Sequence, residues 1–265
     1  MGHQESYYRH NEAYAEFLAN WDAAFYAKYT DTLMTGRAGD RVLDVGCGAG
    51  QVVGQLTEAG YEAYGVDVSE PNIERARKFS DRCQLYDGRR LPFADGHFAS
   101  VGALNVLEHV EEPEAFIAEL VRVTASNGRI VISSPNFFRV LGFRDYHPKM
   151  RGLANKLANW RRLREKRRQM KSAPEQVRFD RMTPIIKEPF TPDDDAIVAT
   201  NGLEMKFFLE RNGCRVERVE CTDRYVQFPL GLLLNLTPLR HLMFNAFVVA
   251  CKATATDRAA AHANV

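Results

Sequence analysis

The sequence predicts a doubly wound α/β fold, a mostly parallel sheet covered by helices on both faces, and three observations carry that prediction. Val42-Leu43-Asp44-Val45 reads as a buried strand that breaks into the glycine loop Gly46-Cys47-Gly48-Ala49-Gly50 and then enters a helix over 51–59. A second strand follows and ends in an acid, Asp67, about 20 residues beyond the loop. After it, strand and helix patterns alternate, an order that lays strands parallel and puts helices on both faces.

Taken in order, residues 5–34 carry aromatics at Tyr7, Tyr8, Tyr14, Phe17, Trp21, Phe25 and Tyr29. From Tyr14 onward the spacings are threes and fours, which place one stripe on an amphipathic helix. Residues 1–36 are therefore expected to be helical and packed on the domain. Strands are expected near 41–45, 62–66, 82–86, 98–104 and 128–133, with helices after 50, 71 and 113. Pro71 and Pro113 suit first-turn positions, where a missing N–H costs little. From 137 to 200 the pattern changes to a helical insertion, with Phe137-Phe138, a Tyr146-His147-Pro148 turn, a basic helix and scattered prolines. Leu153, Leu157 and Trp160 give that helix an apolar stripe for docking. Asn201-Gly202-Leu203-Glu204 is a capping-box-like start for a helix that Gly213 ends. Residues 215–221 and 244–250 alternate like strands. The core is thus expected at 37–136 and 201–253, with a frayed tail at 254–265.

The loop has a chemical meaning. Glycines at 46, 48 and 50 let backbone N–H groups come close to a ligand, and the helix N-terminus beyond favours negative charge. The spacing is G-x-G-x-G with Gln51 next, whereas the dinucleotide fingerprint requires glycine at that sixth place. That disfavours an NAD-dependent oxidoreductase and favours a nucleoside with a smaller charged tail. Asp67 is placed to accept both hydroxyls of its ribose.

With V-L-D-V-G-C-G-A-G stand G-V-D-V-S-E-P-N-I-E-R-A-R (65–77), Asp87-Gly88 in D-G-R-R-L-P-F, N-V-L-E-H-V (105–110) and G-R-I-V-I-S-S-P-N (128–136). In these motifs and their order the sequence resembles the class I S-adenosylmethionine-dependent methyltransferases, above all the small-molecule group that includes the quinone-biosynthesis enzymes. The resemblance implies a terminal antiparallel strand pair, making seven strands, and S-adenosylmethionine as cofactor. It implies that Gly46, Cys47, Gly48 and Gly50 cradle this cofactor, and that Asp44 orients the loop and meets the methionine amino group. By the same resemblance Asp67 takes the ribose, Val68 and Asn72 line the adenine, Asp87 and Gly88 bond it, and Asn105 and Val106 lie beneath the sulfonium. The resemblance further implies that residues 1–36 are a helical lid over the cofactor, with Tyr8 and Arg9 at its start near the methionine end.

A general base is needed only for a hydroxyl or protonated amine acceptor. His109 and His147 are the candidates, with Glu108 and Tyr146 behind them, and Tyr146 and His147 are candidate substrate contacts. Asn105 is not followed by Pro-Pro and an aromatic, which argues against a DNA base amino group as target. The expected acceptor is an O or N atom of a small molecule, an anionic sugar or natural-product intermediate among the choices. Two alternatives stay open: an RNA methyltransferase and a cofactor-binding protein without catalysis.

Net charge is +1, yet residues 149–171 hold ten Lys or Arg and one Glu, a local +9 that leaves −8 elsewhere. This basic helix reads either as a solvated face or, if its charge is functional, as suited to a phosphate- or carboxylate-bearing acceptor, with nucleic acid or an anionic membrane as the alternative. Five cysteines without a C-x-x-C pair, and a polar start at Met1-Gly2-His3-Gln4-Glu5, predict reduced thiols in a cytoplasm. The apolar run 228–250 contains Arg240, and a central Arg costs about 2.5–3.5 kcal/mol in a spanning helix. A buried turn and strand are expected there instead. Asp193-Asp194-Asp195 reads as a polar helix lead-in, and no metal is expected. A homodimer is left open.

Overall fold

Aliphatic and β-branched runs form the sheet: β1 (Arg41–Val45), β2 (Glu62–Asp67), β3 (Cys83–Leu85), β4 (Phe98–Leu104), β5 (Thr124–Ser134), β8 (Cys214–Thr222) and β9 (Asn245–Lys252). In the computed structural model, which describes residues 7–141, 147–187, 191, 193–222, 229–242 and 245–254, their order is β3-β2-β1-β4-β5-β9-β8. β1 to β5 run parallel, and β9 is antiparallel to both β5 and β8. This is the expected seven-stranded, doubly wound sheet.

Side chains alternate across the strands and split the core into two layers. Leu43 and Val45 of β1 join Phe116, Ile117 and Leu120 of α5 (Pro113–Val123) and Met205 and Phe208 of α7 (Gly202–Arg211) on one face. Val42 joins Leu33 of α2 (Ala23–Leu33), Val53 and Leu56 of α3 (Gln51–Glu58) and Ile73 of α4 (Glu70–Ala76) on the other. The caps follow the local sequence. Ser69 accepts from the Asn72 amide to open α4, and Asn201 accepts from the Leu203 and Glu204 amides to open α7. Asn201 Nδ2 also donates to the Glu204 carboxylate, so the return bond of the capping-box-like start comes from the side-chain amide rather than the Asn201 backbone N–H.

Several expectations need correction. The amphipathic stripe of the lid is two helices, α1 (Glu12–Ala19) and α2, because Asp22 takes an extended backbone and caps α2 through the Ala24 amide. β5 begins at Thr124, ahead of the expected 128; its pairing to β4 shifts between Phe98 and Ser100, and the bulge carries Asn127 at φ +61°. The run 228–250 contains a short helix, α8 (Leu230–Leu236), before β9.

The insertion holds α6 (Gly152–Ser172) and an antiparallel pair, β6 (Asp180–Arg181) and β7 (Val198–Ala199). Phe137, Phe138, Met150, Leu163 and Met182 give it a small core of its own. Here Leu153, Leu157 and Trp160 do not dock: all three are exposed. α6 docks instead through Leu163, through Asn159, which donates to the Phe137 and Arg139 carbonyls, and through Lys166. Lys166 Nζ lies 2.7 Å from Glu204 and 2.8 Å from Asp180. Asp193-Asp194-Asp195 is a turn, with Asp193 at φ +64°, rather than a helix lead-in. Tyr146 and residues 255–265 lie outside the described residues. No described helix is long and apolar enough to cross a membrane.

Candidate functional site

The carboxyl ends of β1, β2 and β4 lie side by side, so Asp44, Asp67 and Asn105 meet at one edge of the sheet. The glycine loop rises there from β1. Gly50 takes φ +91°, and a Cβ on it would sit 2.7 Å from the Ala76 backbone, so only glycine lets α3 start against α4. α3 has no side-chain cap, which leaves the amides of its first turn facing the loop. At Gly48 a Cβ would meet nothing nearer than 4.0 Å, so this backbone borders open space.

Asp67 is buried and holds the loop in place. Its Oδ2 accepts from the Gly48 amide at 2.9 Å and its Oδ1 from the Ser69 amide at 2.8 Å. Burial raises its pKa, against the opposing pull of those amides and of Asn72. Two cavities lie near this edge of the sheet. One, of about 260 Å³, is bordered by Val68, Asp87, Gly88 and Phe116, together with Arg9. The other, of about 100 Å³, is bordered by Asp44, Gly46, Cys47, Gly48, Asn105 and His109 under the aromatic side chains of α1. Each alone falls below the roughly 300–1,000 Å³ of ordinary small-molecule pockets.

Most of the residues singled out in the sequence therefore converge. Asp87 uses Oδ1 to accept the Arg89 and Arg90 amides, an Asx turn that presents Gly88 at φ +76° to the larger cavity and lowers the Asp87 pKa. Val106 packs on Gly46, where a Cβ would lie 2.3 Å from Val106 Cγ2. Asn105 is held at φ +53°, a conformation costly for a side-chain-bearing residue, and its buried Oδ1 has no protein partner. Asn72 is buried behind Asp67 rather than bordering either cavity. Arg9 departs from expectation, since it borders the Asp87 cavity and pairs with Glu70.

The two histidines separate. His109 ends a 3₁₀ turn (Leu107–His109) and borders the smaller cavity. Its Nδ1 lies 3.0 Å from the Tyr8 hydroxyl, which donates to Asp195 Oδ2 at 2.8 Å. The phenol proton lies toward Asp195 and burial drives the phenol pKa up, an arrangement consistent with the imidazole tautomer that carries its hydrogen on Nδ1. Nε2 lies 3.9 Å from Glu108 Oε1, on a carboxyl whose pKa burial pushes well up. His147 borders neither cavity. Its Nδ1 caps a turn by accepting from the Lys149 amide, its ring packs edge-on to Phe137, and burial lowers its pKa. It thus packs within the insertion, away from both cavities, with its buried Nε2 lacking a protein partner.

Three contributors were not legible as such. Tyr29 donates to Asp44 Oδ1 at 2.8 Å, and burial carries that acid to about 7. The sequence signal is Gly102, in register with Asp44: a Cβ there would lie 2.2 Å from the Tyr29 hydroxyl. Gln51, the residue that breaks the dinucleotide pattern, donates to the Leu18 and Ala19 carbonyls and ties α1 over the loop. Asp195 holds Tyr8, and Glu108, His109 and Asp193 place one ligand-type atom each within 4.8 Å of one another.

Comparison with known proteins agrees with this geometry. Residues 43–132 match a family model described as a methyltransferase domain. A ubiquinone biosynthesis O-methyltransferase of Rhodopseudomonas palustris is 33% identical over 104 residues, 37% of this chain and 41% of that protein. An uncharacterized 37.1 kDa protein of a Streptomyces fradiae transposon is 32% identical over 134 residues, 47% of this chain and 39% of that protein. The chain thus spans about two fifths of the length of these relatives. A S-adenosylmethionine-dependent methyltransferase of Aquifex aeolicus superposes with a TM-score of 0.52 at 17% identity, covering 92% of this chain and 99% of that one. One of Mesorhizobium loti gives 0.55 at 16% identity over 87% and 98%. At such identities these structures establish the fold.

Proposed function

Proceeding from the chain's membership of the class I S-adenosylmethionine-dependent methyltransferases, we propose that it moves a methyl group from that cofactor to an O or N atom of a small molecule. The observation that carries this reading is the buried Asp67 carboxylate, bonded to the Gly48 amide that borders one cavity and next in sequence to Val68, which borders the other, with the unpartnered Asn105 Oδ1 beside the smaller one. In it Asp67 receives the ribose; Val68, Asp87 and Gly88 receive the adenine; Asp44 and the loop from Gly46 to Gly50 receive the methionine end. The sulfonium supplies an activated methyl group when bound. This chain's residues align the acceptor with it and keep water out.

The acceptor side is the region of His109, Tyr8 and the Asp193–Asp195 turn. A hydroxyl acceptor that reaches His109 Nε2 gives up its proton there, and the Tyr8–Asp195 pair stabilises the imidazolium through Nδ1. The relatives named for ubiquinone biosynthesis support an O-methylation of this kind. Isothermal titration of the protein with S-adenosylmethionine tests the reading. Binding is expected, and Asp67→Ala should weaken it by about 1–3 kcal/mol, the worth of a charged acceptor. Absence of heat at millimolar ligand, or an unchanged affinity for Asp67→Ala, would overturn it.

A further inference from the structure

We propose that α6 docks the protein on an anionic lipid surface. Its solvent face carries Leu153, Leu157 and Trp160, which are 86%, 51% and 40% exposed. At about 100° per residue these three fall within roughly 60° of one another. Arg164, Arg167, Arg168 and Lys171, all exposed, continue the same line along the next turns. The docking residues Asn159, Leu163 and Lys166 lie about 120° round the helix. One face, roughly 30 Å long, thus presents an apolar first half and a cationic second half to solvent.

Only one kind of surface uses both halves. A nucleic acid would pair with the cations and leave two leucines and a tryptophan in water. An apolar groove on another protein, or a second copy of this chain, would cover the leucines and leave the cations facing an uncharged or like-charged neighbour. Between Lys149 and Lys171 the local charge is +9, so a copy-on-copy contact at this face is repulsive. An anionic bilayer takes both: leucine and tryptophan side chains sink beneath the headgroups while the guanidinium groups meet their phosphates. The inner cations are already committed, Lys166 to Glu204 and Asp180 and Arg162 to Asp180, so the outward charge is that of the solvent face.

The test is vesicle flotation of the full chain, with phosphatidylcholine vesicles and with phosphatidylcholine–phosphatidylglycerol vesicles, at about 0.1 M salt. Partitioning into the anionic vesicles is expected to exceed that into neutral ones at least about tenfold. Leu153→Glu with Leu157→Glu should lower it by at least about tenfold. Trp160 emission should shift to the blue on binding, a shift lost in Trp160→Phe. All three positions are exposed, so unchanged S-adenosylmethionine affinity reports that the variants fold. Equal recovery with both vesicle types, or anionic binding indifferent to the leucine substitutions, would overturn the proposal. So would tighter binding to a duplex RNA that ignores those substitutions.

Discussion

Gly102→Ala is a one-carbon change whose cost can be worked from the geometry. Gly102 sits in mid β4, paired with Asp44 on one side and Val131 on the other. A Cβ there would lie 2.2 Å from the Tyr29 hydroxyl and 2.8 Å from both Tyr29 Cζ and Leu33 Cδ2. Both neighbours are buried, so neither swings into solvent and α2 must move. Overpacking of this kind costs about 1–3 kcal/mol. Displacing the phenol also deprives Asp44 of its hydrogen bond, worth about 1.5–3 kcal/mol to a charged group. The expected loss is therefore about 3–5 kcal/mol at pH 8, where Asp44 is ionised. Urea unfolding reads it as a fall in midpoint at constant slope. Combined with Tyr29→Phe, which removes the nearest clashing atom and the bond together, the two costs should be sub-additive by at least about 1 kcal/mol. A single-mutant cost below about 0.5 kcal/mol, or strict additivity of the pair, would refute the contact and its role.

Three further outcomes are expected. Burial raises Asp44 from 3.8 to about 7, so the folded protein holds this proton more tightly than the unfolded chain does, and stability falls as pH rises from about 4 to about 7. Asp44→Asn removes that slope; relative to the native protein it should gain up to about 4 kcal/mol between pH 4 and pH 8, and urea midpoints that track the native protein at both pH values would count against it. Lys166→Met strands the buried Glu204 carboxylate and should cost about 3–5 kcal/mol at pH 8. The cost should shrink at pH 5, because Glu204, raised to about 7 by burial, takes up a proton there; thermal unfolding at the two pH values decides it. His109→Gln should leave S-adenosylmethionine affinity intact and lower the rate with a hydroxyl acceptor by about 10²–10⁴. A variant that keeps the native rate would remove His109 from proton transfer.

The glycine loop, Asp67 at the end of β2 and the capping box of α7 were legible because each is a local device. A βαβ unit brings the loop and Asp67 together by strand pairing alone, and Asn201 reaches Glu204 within one turn. β1 and β4 begin and end where their apolar runs do. β5 was read short because Ser126-Asn127-Gly128 looks like a turn, and a bulge absorbs it inside the strand.

What the linear order could not express is choice of partner. Nothing in it ties Tyr8 to Asp195, 187 positions away, or tells which histidine meets the cavity. His109 and His147 are each a lone imidazole in sequence; packing alone gives one a phenol and a cavity and the other a turn amide and Phe137. α6 shows the same limit in energetic form. Its periodicity offers two faces, and apolar pattern favours Leu153, Leu157 and Trp160 for burial. The fold buries Asn159, Leu163 and Lys166 instead, because the carbonyls of Phe137 and Arg139 and the carboxylates of Asp180 and Glu204 stand ready to satisfy their polar groups. Periodicity and backbone sterics act over a few residues and survive in any context, so they can be read from the chain. Whether a buried polar group finds its partner depends on segments that meet only after folding.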